Sequence, residues 1–321
     1  MITGGTSGLG RACAAALAGA PGWTVAVTAR DAARGSATVE GLRRDAPDGA
    51  AEVAVLPLDL ADLASVRAFP ARLAAAGLPP LHAVVANAGL QHRDRRHVTA
   101  DGFEATFGVN HLGHFLLLRL LLPALAPGGR VVIVASGTHR ARRVRNGGFP
   151  PPRWEDPRAL AVPGEGSGQV AYATSKLANV LTMLELDRRV EALRPGAGIA
   201  VHGFDPGLMP ETALDRDYPP AAQRVYGVLA PALAALVPGA TTPARAARRL
   251  AGMVTDPAWG RPGGRYLEVV REGAPSAAAR DPVRARELWE VSEELVGLAA
   301  AAPPVSRPWL PPRTAPRRRA P

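Results

Sequence analysis

Thr3-Gly4-Gly5-Thr6-Ser7-Gly8-Leu9-Gly10 stands at the head of the chain and decides how the rest is read. Four glycines in eight residues let a backbone turn tightly. The alanine- and leucine-rich stretch that follows, Leu9 to Ala18, has helical composition. A glycine turn that opens a helix presents N–H groups and positive potential to a pyrophosphate. The competing reading is a plain strand-to-helix turn. The strand-like run Thr24 to Thr28 just beyond the helix favours the phosphate site.

Outward from this turn the chain alternates. Strand-like runs lie at Thr24–Thr28, Glu52–Leu56, His82–Ala86, Val131–Val134 and Ile199–His202, with a further one at Tyr266–Val269. Helical stretches lie at Ala33–Asp45, Ala61–Ala76, Phe103–Leu125, Tyr172–Leu193 and Val283–Leu298. Short β-branched runs between longer alanine- and leucine-rich segments predict an α/β fold. The sheet is doubly wound, parallel and Rossmann-type, with helices on both faces. Only Met1 and Ile2 precede the glycine turn, so the first, central strand reads as truncated, with an N-terminal segment expected before it. One domain is expected over residues 1–302, and a disordered proline- and arginine-rich tail over 303–321.

Composition narrows the function. Hydrophobic residues make up 47% of the 321, enough for a core. Net charge is +10, but part of the excess sits in Arg313 and Arg317-Arg318-Arg319 and part in the stretch Arg140 to Arg145. No single folded stripe is basic, which argues against a nucleic-acid partner. The apolar runs His114–Ala126 and Tyr226–Ala240 are broken by Arg119, Pro123, Pro231 and Pro238, short of the ~20 residues a spanning helix needs. No signal peptide is visible. A cytoplasmic protein without stable membrane insertion is expected. The single cysteine, Cys13, cannot form an internal disulfide and reads as a buried thiol. His111, His114 and His139 have no acidic or cysteine neighbour to complete a metal set, so packing is the expected role.

The chain contains 37 arginines and one lysine, Lys176. A composition that uses arginine for charge has kept lysine at one place. Lys176 follows Tyr172 by four residues, which puts both on one helix face. A compact ammonium beside a phenol stabilises the phenolate and lowers its pKa from about 10. Arginine, planar and bulkier, is not equivalent there.

At the tip of the second strand, Arg30 precedes Asp31. The planar fork of arginine suits a 2′-phosphate, so NADP(H) is expected over NAD(H). Arg11 could assist. Asp59-Leu60 ends the third strand, where the carboxylate could accept from an adenine amino group or cap a helix. Asn87-Ala88-Gly89 ends the fourth, where small residues leave room for a cofactor. The cofactor cradle is thus Gly4, Thr6, Ser7, Gly8, Leu9, Gly10, Arg30, Asp59, Leu60, Asn87, Ala88 and Gly89.

Six motifs in order over two hundred residues resemble the short-chain dehydrogenase/reductase family. They are T-G-x-x-x-G-x-G at 3–10, N-A-G at 87–89, Asn110, Ser136, Y-x-x-x-K at 172–176 and P-G at 206–207. Val109 to Phe115, Ser175 to Val180 and Leu288 to Glu293 look like its retinol dehydrogenase and protochlorophyllide reductase branch. The resemblance implies an NADP(H)-dependent oxidoreductase that interconverts a carbonyl and its alcohol. It makes Tyr172 the acid/base, with Lys176 tuning it and holding the nicotinamide ribose. Ser136 would bond the substrate oxygen, and Asn110 would support a water-linked proton path to Lys176. Pro206 and Gly207 would border the nicotinamide, and Thr212 would orient its amide or cap a helix.

Two alternatives stand beside this. A non-catalytic NADP(H)-binding sensor would have been free to lose Tyr172 or Lys176. A light-driven protochlorophyllide reductase would, by resemblance, need a cysteine near the substrate, and Cys13 lies in the first helix. Ser136 and Tyr172 are 36 positions apart, so 137–171 reads as an inserted loop that could cover the substrate mouth. The stretch 208–240 reads as a lid. Leu208, Met209, Leu214, Tyr218, Tyr226, Val228 and Leu229 would make its wall apolar, which suits a lipophilic small-molecule substrate. The family's habit of pairing through helices here at 103–125 and 172–193 makes a homodimer one reading of their leucine-rich face. A buried core is the other.

Overall fold

The computed structural model describes residues 1–46, 51–140, 148–207, 209, 241–269 and 271–298. Among these the strands are β1 (Thr24–Ala29), β2 (Glu52–Pro57), β3 (Leu81–Ala86), β4 (Asp94–Arg95), β5 (Leu125–Val134), β6 (Gly164–Ser167), β7 (Ala200–Asp205), β8 (Tyr266–Glu268) and β9 (Arg271–Gly273). β1 pairs with β2, and β3-β5-β7-β8 run parallel in that order, with β9 antiparallel at the edge. The short first strand takes the central place. Ile2 bridges Val27 and Val85 in parallel, and its neighbours extend the ladder from Met1 O, which accepts from Val85 N, to Thr3 N, which donates to Val85 O. Three residues thus join two half-sheets into one.

Side-chain alternation along the strands separates two cores. Val25, Val27, Ala83, Val85, Val132 and Val134 face helices α1 (Gly8–Ala18) and α2 (Ala32–Asp45). Ala26, Val84, Ala86, Val131 and Ile133 face α3 (Leu63–Ala75) and the long helices of the other side. Several helix starts are fixed locally by a carboxylate that accepts from the free first-turn amides. Asp31 caps α2, Asp62 caps α3, and buried Glu104 caps the run Ala105–Ala124. That run consists of α4 (Ala105–Phe107), a π-helical turn (Gly108–Gly113), α5 (His114–Leu121) and a final 3₁₀ turn (Leu122–Ala124). It is longer than the apolar stretch expected, and long and apolar enough to cross a membrane, yet 89% of its apolar window is buried inside the fold.

The inserted segment is structured where it is described. α6 (Pro157–Leu160) leads to β6, which pairs antiparallel with β4. The Arg95 guanidinium gathers it by donating to the carbonyls of Ala159, Leu160 and Val162. Beyond it, α7 (Gly168–Leu193) is buried on all sides from Tyr172 to Leu186, as a central core helix should be.

Two helices close the domain. α8 (Pro243–Thr255), capped by Thr242, packs on α1 and was missed in the sequence. α9 (Pro282–Leu295) packs on α7. Its Trp289 meets Phe115 edge-on at 4.9 Å and lies between the guanidinium groups of Arg119 and Arg189, at 5.1 and 4.9 Å. Arg119 also pairs with Glu293. The leucine-rich face of the 105–124 helix is therefore core within the protomer. The tail over 303–321 and nearly all of the 208–240 lid lie outside the described residues, Met209 excepted.

Candidate active site

In a parallel sheet, ligand clefts form beyond the carboxyl ends of the strands. Here a cleft of about 730 Å³ opens at that edge. One wall is the glycine turn, contributing Gly4 and residues 6–10. A Cβ on Gly4, whose φ is +65°, would stand 2.9 Å from Ala88 Cα. One on Gly10 would stand 2.3 Å from Gly4 O. The turn can lie this close to the Asn87-Ala88-Gly89 segment only without side chains at these two positions. The cradle therefore fits a dinucleotide, whose phosphates the N-terminus of α1 would face.

Further along, Arg30, Asp59 and Leu60 line the cleft as expected, and so does Arg34, which sequence reasoning missed. Its signal was a second arginine in the first turn of the helix that follows Arg30. Asp31 lines the cleft too, but one carboxylate oxygen accepts from Arg34 N at 2.6 Å and caps α2. Arg11 departs from expectation. It pairs with Asp45 at 3.8 Å and is not part of the cleft wall. Asp59 accepts from Ala61 N in its own loop, while the helix cap is Asp62.

Asn87, Ala88 and Gly89 form the floor, held by one buried network. The Thr3 hydroxyl accepts from the amides of Asn87 and Ala88, at 2.9 and 3.0 Å, and sits 2.8 Å from His114 Nε2. His114 Nδ1 donates to Asn110 O at 3.2 Å, which leaves Nε2 to accept from Thr3. Burial pushes His114 down to about 4, so this ring is neutral. The Asn110 side chain accepts from Leu90 N at 2.8 Å and donates to Leu90 O and Ser175 Oγ. With the Asn179 amide turned to suit its neighbours, its nitrogen donates to Asn110 O at 2.9 Å. The carbonyl of Asn110 thus has two protein donors, and its side chain holds the loop after Gly89.

Tyr172 and Lys176 line the same cleft from α7. The Lys176 amine lies 5.5 Å from the Tyr172 ring centre and donates to Val134 O at 3.2 Å. Burial lowers its pKa to about 8, with Asp205 pulling the other way. Phe149, from the inserted segment, packs against the Tyr172 ring at 5.9 Å. Ser136 follows β5 and caps the turn Gly137–His139, its hydroxyl accepting from Thr138 N. Pro206 and Met209 close the cleft after β7, with Gly207 between them in sequence. Thr212 lies outside the described residues.

His111 bonds Ser292 Oγ, and His139 bonds Ser136 O, both side chains buried. Among the described residues no three His, Cys, Asp or Glu side chains are grouped to hold a metal ion. Cys13 is sealed in the α1-side core, its thiol pushed up to about 12 by burial.

Residues 1–147 match the family profile described as short chain dehydrogenase. Over 93% of its length the chain is 36% identical to the protochlorophyllide reductase of Avena sativa, covering 99% of that protein. The chain belongs to the short-chain dehydrogenase/reductase family. Protochlorophyllide reductase A of Oryza sativa subsp. japonica is also 36% identical, with 80% of it covered. Among solved structures, an uncharacterized protein from Mycobacterium paratuberculosis is 30% identical, with a TM-score of 0.64 and 92% of each chain covered. A short-chain dehydrogenase from Burkholderia cenocepacia J2315 in complex with NADP is 26% identical, with a TM-score of 0.60 over 84% of this chain and 95% of that one. As a short-chain dehydrogenase/reductase, the protein is an oxidoreductase with a Rossmann-type nucleotide fold.

Proposed function

We propose that this oxidoreductase binds NADP(H) in the cleft and reduces an apolar carbonyl compound, with Tyr172 as proton donor. One observation carries the reading: the chain's single lysine is buried against Tyr172 on the wall of the cleft that the glycine turn also lines. Bound NADPH would supply hydride. The Tyr172 hydroxyl hands its proton to the nascent alkoxide, and the Lys176 ammonium stabilises the phenolate left behind. Ser136 orients the substrate oxygen. Asn110 and His114 keep the floor at Gly89 rigid, which would orient the nicotinamide. Leu90, Val109 and Met209 on the cleft wall, with Phe149 against Tyr172, favour a lipophilic substrate.

The coenzyme choice rests on Arg30 and Arg34. With Asp31 engaged as a helix cap, two guanidinium groups are left for a 2′-phosphate. Replacing both with alanine should raise the Kd for NADPH about 10–100-fold, as loss of charge-assisted hydrogen bonds implies. The Kd for NADH should hold steady. Fluorescence titration with both nucleotides measures this, and an equal weakening of both would remove the assignment.

The names of the plant relatives support a second reading, reduction of protochlorophyllide. NADPH oxidation against a panel of apolar ketones and aldehydes, run beside illuminated protochlorophyllide, separates the two. Turnover of carbonyls in the dark is expected. Pigment reduction alone would replace the proposal, and tight NADPH binding with neither activity would favour a sensor.

A further inference from the structure

Asp205 ends β7, immediately before Pro206-Gly207, and its carboxylate is buried. One oxygen accepts from Gly207 N at 2.9 Å. The Ser136 turn lies alongside it: Val134 pairs with Phe204, Ala135 N donates to Phe204 O at 2.8 Å, and the Gly137 amide helps to keep the carboxylate ionised. A single side chain thus lies where the turns that leave two adjacent strands, β5 and β7, come together, bonded to one and set beside the other. The charged groups around it come from three elements. Lys176 lies on α7, its amine donating to Val134 O, and Val134 pairs with Phe204, the residue before Asp205; Glu268, the register partner of Asp205, and Tyr266 lie on β8, and Arg140 lies in the turn after Ser136. Arg140 is itself engaged by Glu268 at 3.2 Å and by Ala274 O.

We propose that Asp205 is a positioning residue of the reductase. Its carboxylate clamps the Ser136 turn to the Pro206–Gly207 turn and faces the Lys176 ammonium as counter-charge. This rests on the reading of Tyr172 and Lys176 given above. A buried carboxylate is costly, and burial raises its pKa to about 6. The geometry says what the cost secures. Ser136 and the nicotinamide border are held in fixed relation, and an anion sits behind the one amine that must stay protonated. Asparagine would keep an acceptor for Gly207 N but remove the charge, which separates the two functions.

The single lysine makes the test direct. Protein labelled with ¹³C at lysine Cε gives one side-chain signal, that of Lys176. In the nucleotide-free wild type this signal should titrate at about 8 and show a smaller inflection at about 6 as Asp205 changes charge. In Asp205→Asn the lower inflection should vanish. The main one should move down by about one unit or more, as expected for loss of a nearby opposite charge. In the same variant kcat should fall about tenfold near neutral pH, with KM for NADPH little changed. An unmoved lysine titration, or a wild-type curve with no lower inflection, overturns the proposal. Should the variant fail to fold, the wild-type curve alone decides. The titration needs neither substrate nor coenzyme, so a protein that turns over nothing would refute the reductase reading and leave this measurement intact.

Discussion

Lys176→Met should abolish turnover and at the same time raise the melting temperature of the nucleotide-free protein. Lys176 is 3% exposed, and the pKa of its amine falls from 10.5 to about 8, chiefly through burial. A shift of this size corresponds to a folding cost of ~3 kcal/mol for the charged form. The unfolded chain binds the extra proton between pH 8 and 10.5. Stability therefore rises with pH across that window, and the full penalty is present below 8. Methionine fills a similar volume with no charge to desolvate. Asp205 loses its counter-charge in the variant and takes up a proton more readily, which offsets part of the gain. A net stabilisation of about 1–3 kcal/mol at pH 7 is expected, a few degrees in Tm. The difference from wild type should shrink as pH climbs past 8. Thermal melts at neutral and alkaline pH check both statements, and a less stable variant at pH 7 would show that the amine is held by favourable contacts. Stability given up to keep a charge in a dry site is what a functional residue looks like.

Tyr172→Phe should lower kcat by 10²–10⁴-fold, the usual worth of a positioned proton donor. The ring is buried beside Phe149 and below the Lys176 amine, and phenylalanine keeps that packing. NADPH affinity should stay within about threefold, because the glycine turn and arginines are untouched. Paired measurement of kcat and nucleotide Kd isolates the hydroxyl. A variant with wild-type turnover would show that the proton comes from elsewhere.

The alternating runs that predict the sheet are visible in sequence because both faces are covered. Strands buried on two sides must be apolar throughout, as Val131 to Val134 are. The glycine turn and the Tyr172–Lys176 spacing were legible for a related reason: one needs missing side chains, the other a fixed helical step. Arg11 misled because charge and proximity in sequence say nothing of direction, and its partner Asp45 is 34 positions away. Asp205 went unnoticed because a lone aspartate has no periodicity. Only the meeting of two strand ends shows what it holds. The Thr3–His114–Asn110 chain spans more than a hundred residues and is likewise a product of topology. α8 carried an N-cap threonine and a first-turn proline, signals that were available and not used.

The last helix also bears on how copies of this protein could meet. Trp289, set against Phe115 and near the guanidinium groups of Arg119 and Arg189, covers the flank of α5 and α7 from within the same chain. Trimming the chain ahead of Pro282 would bare that oily flank, so a shortened version should clump where the longer one stays dispersed.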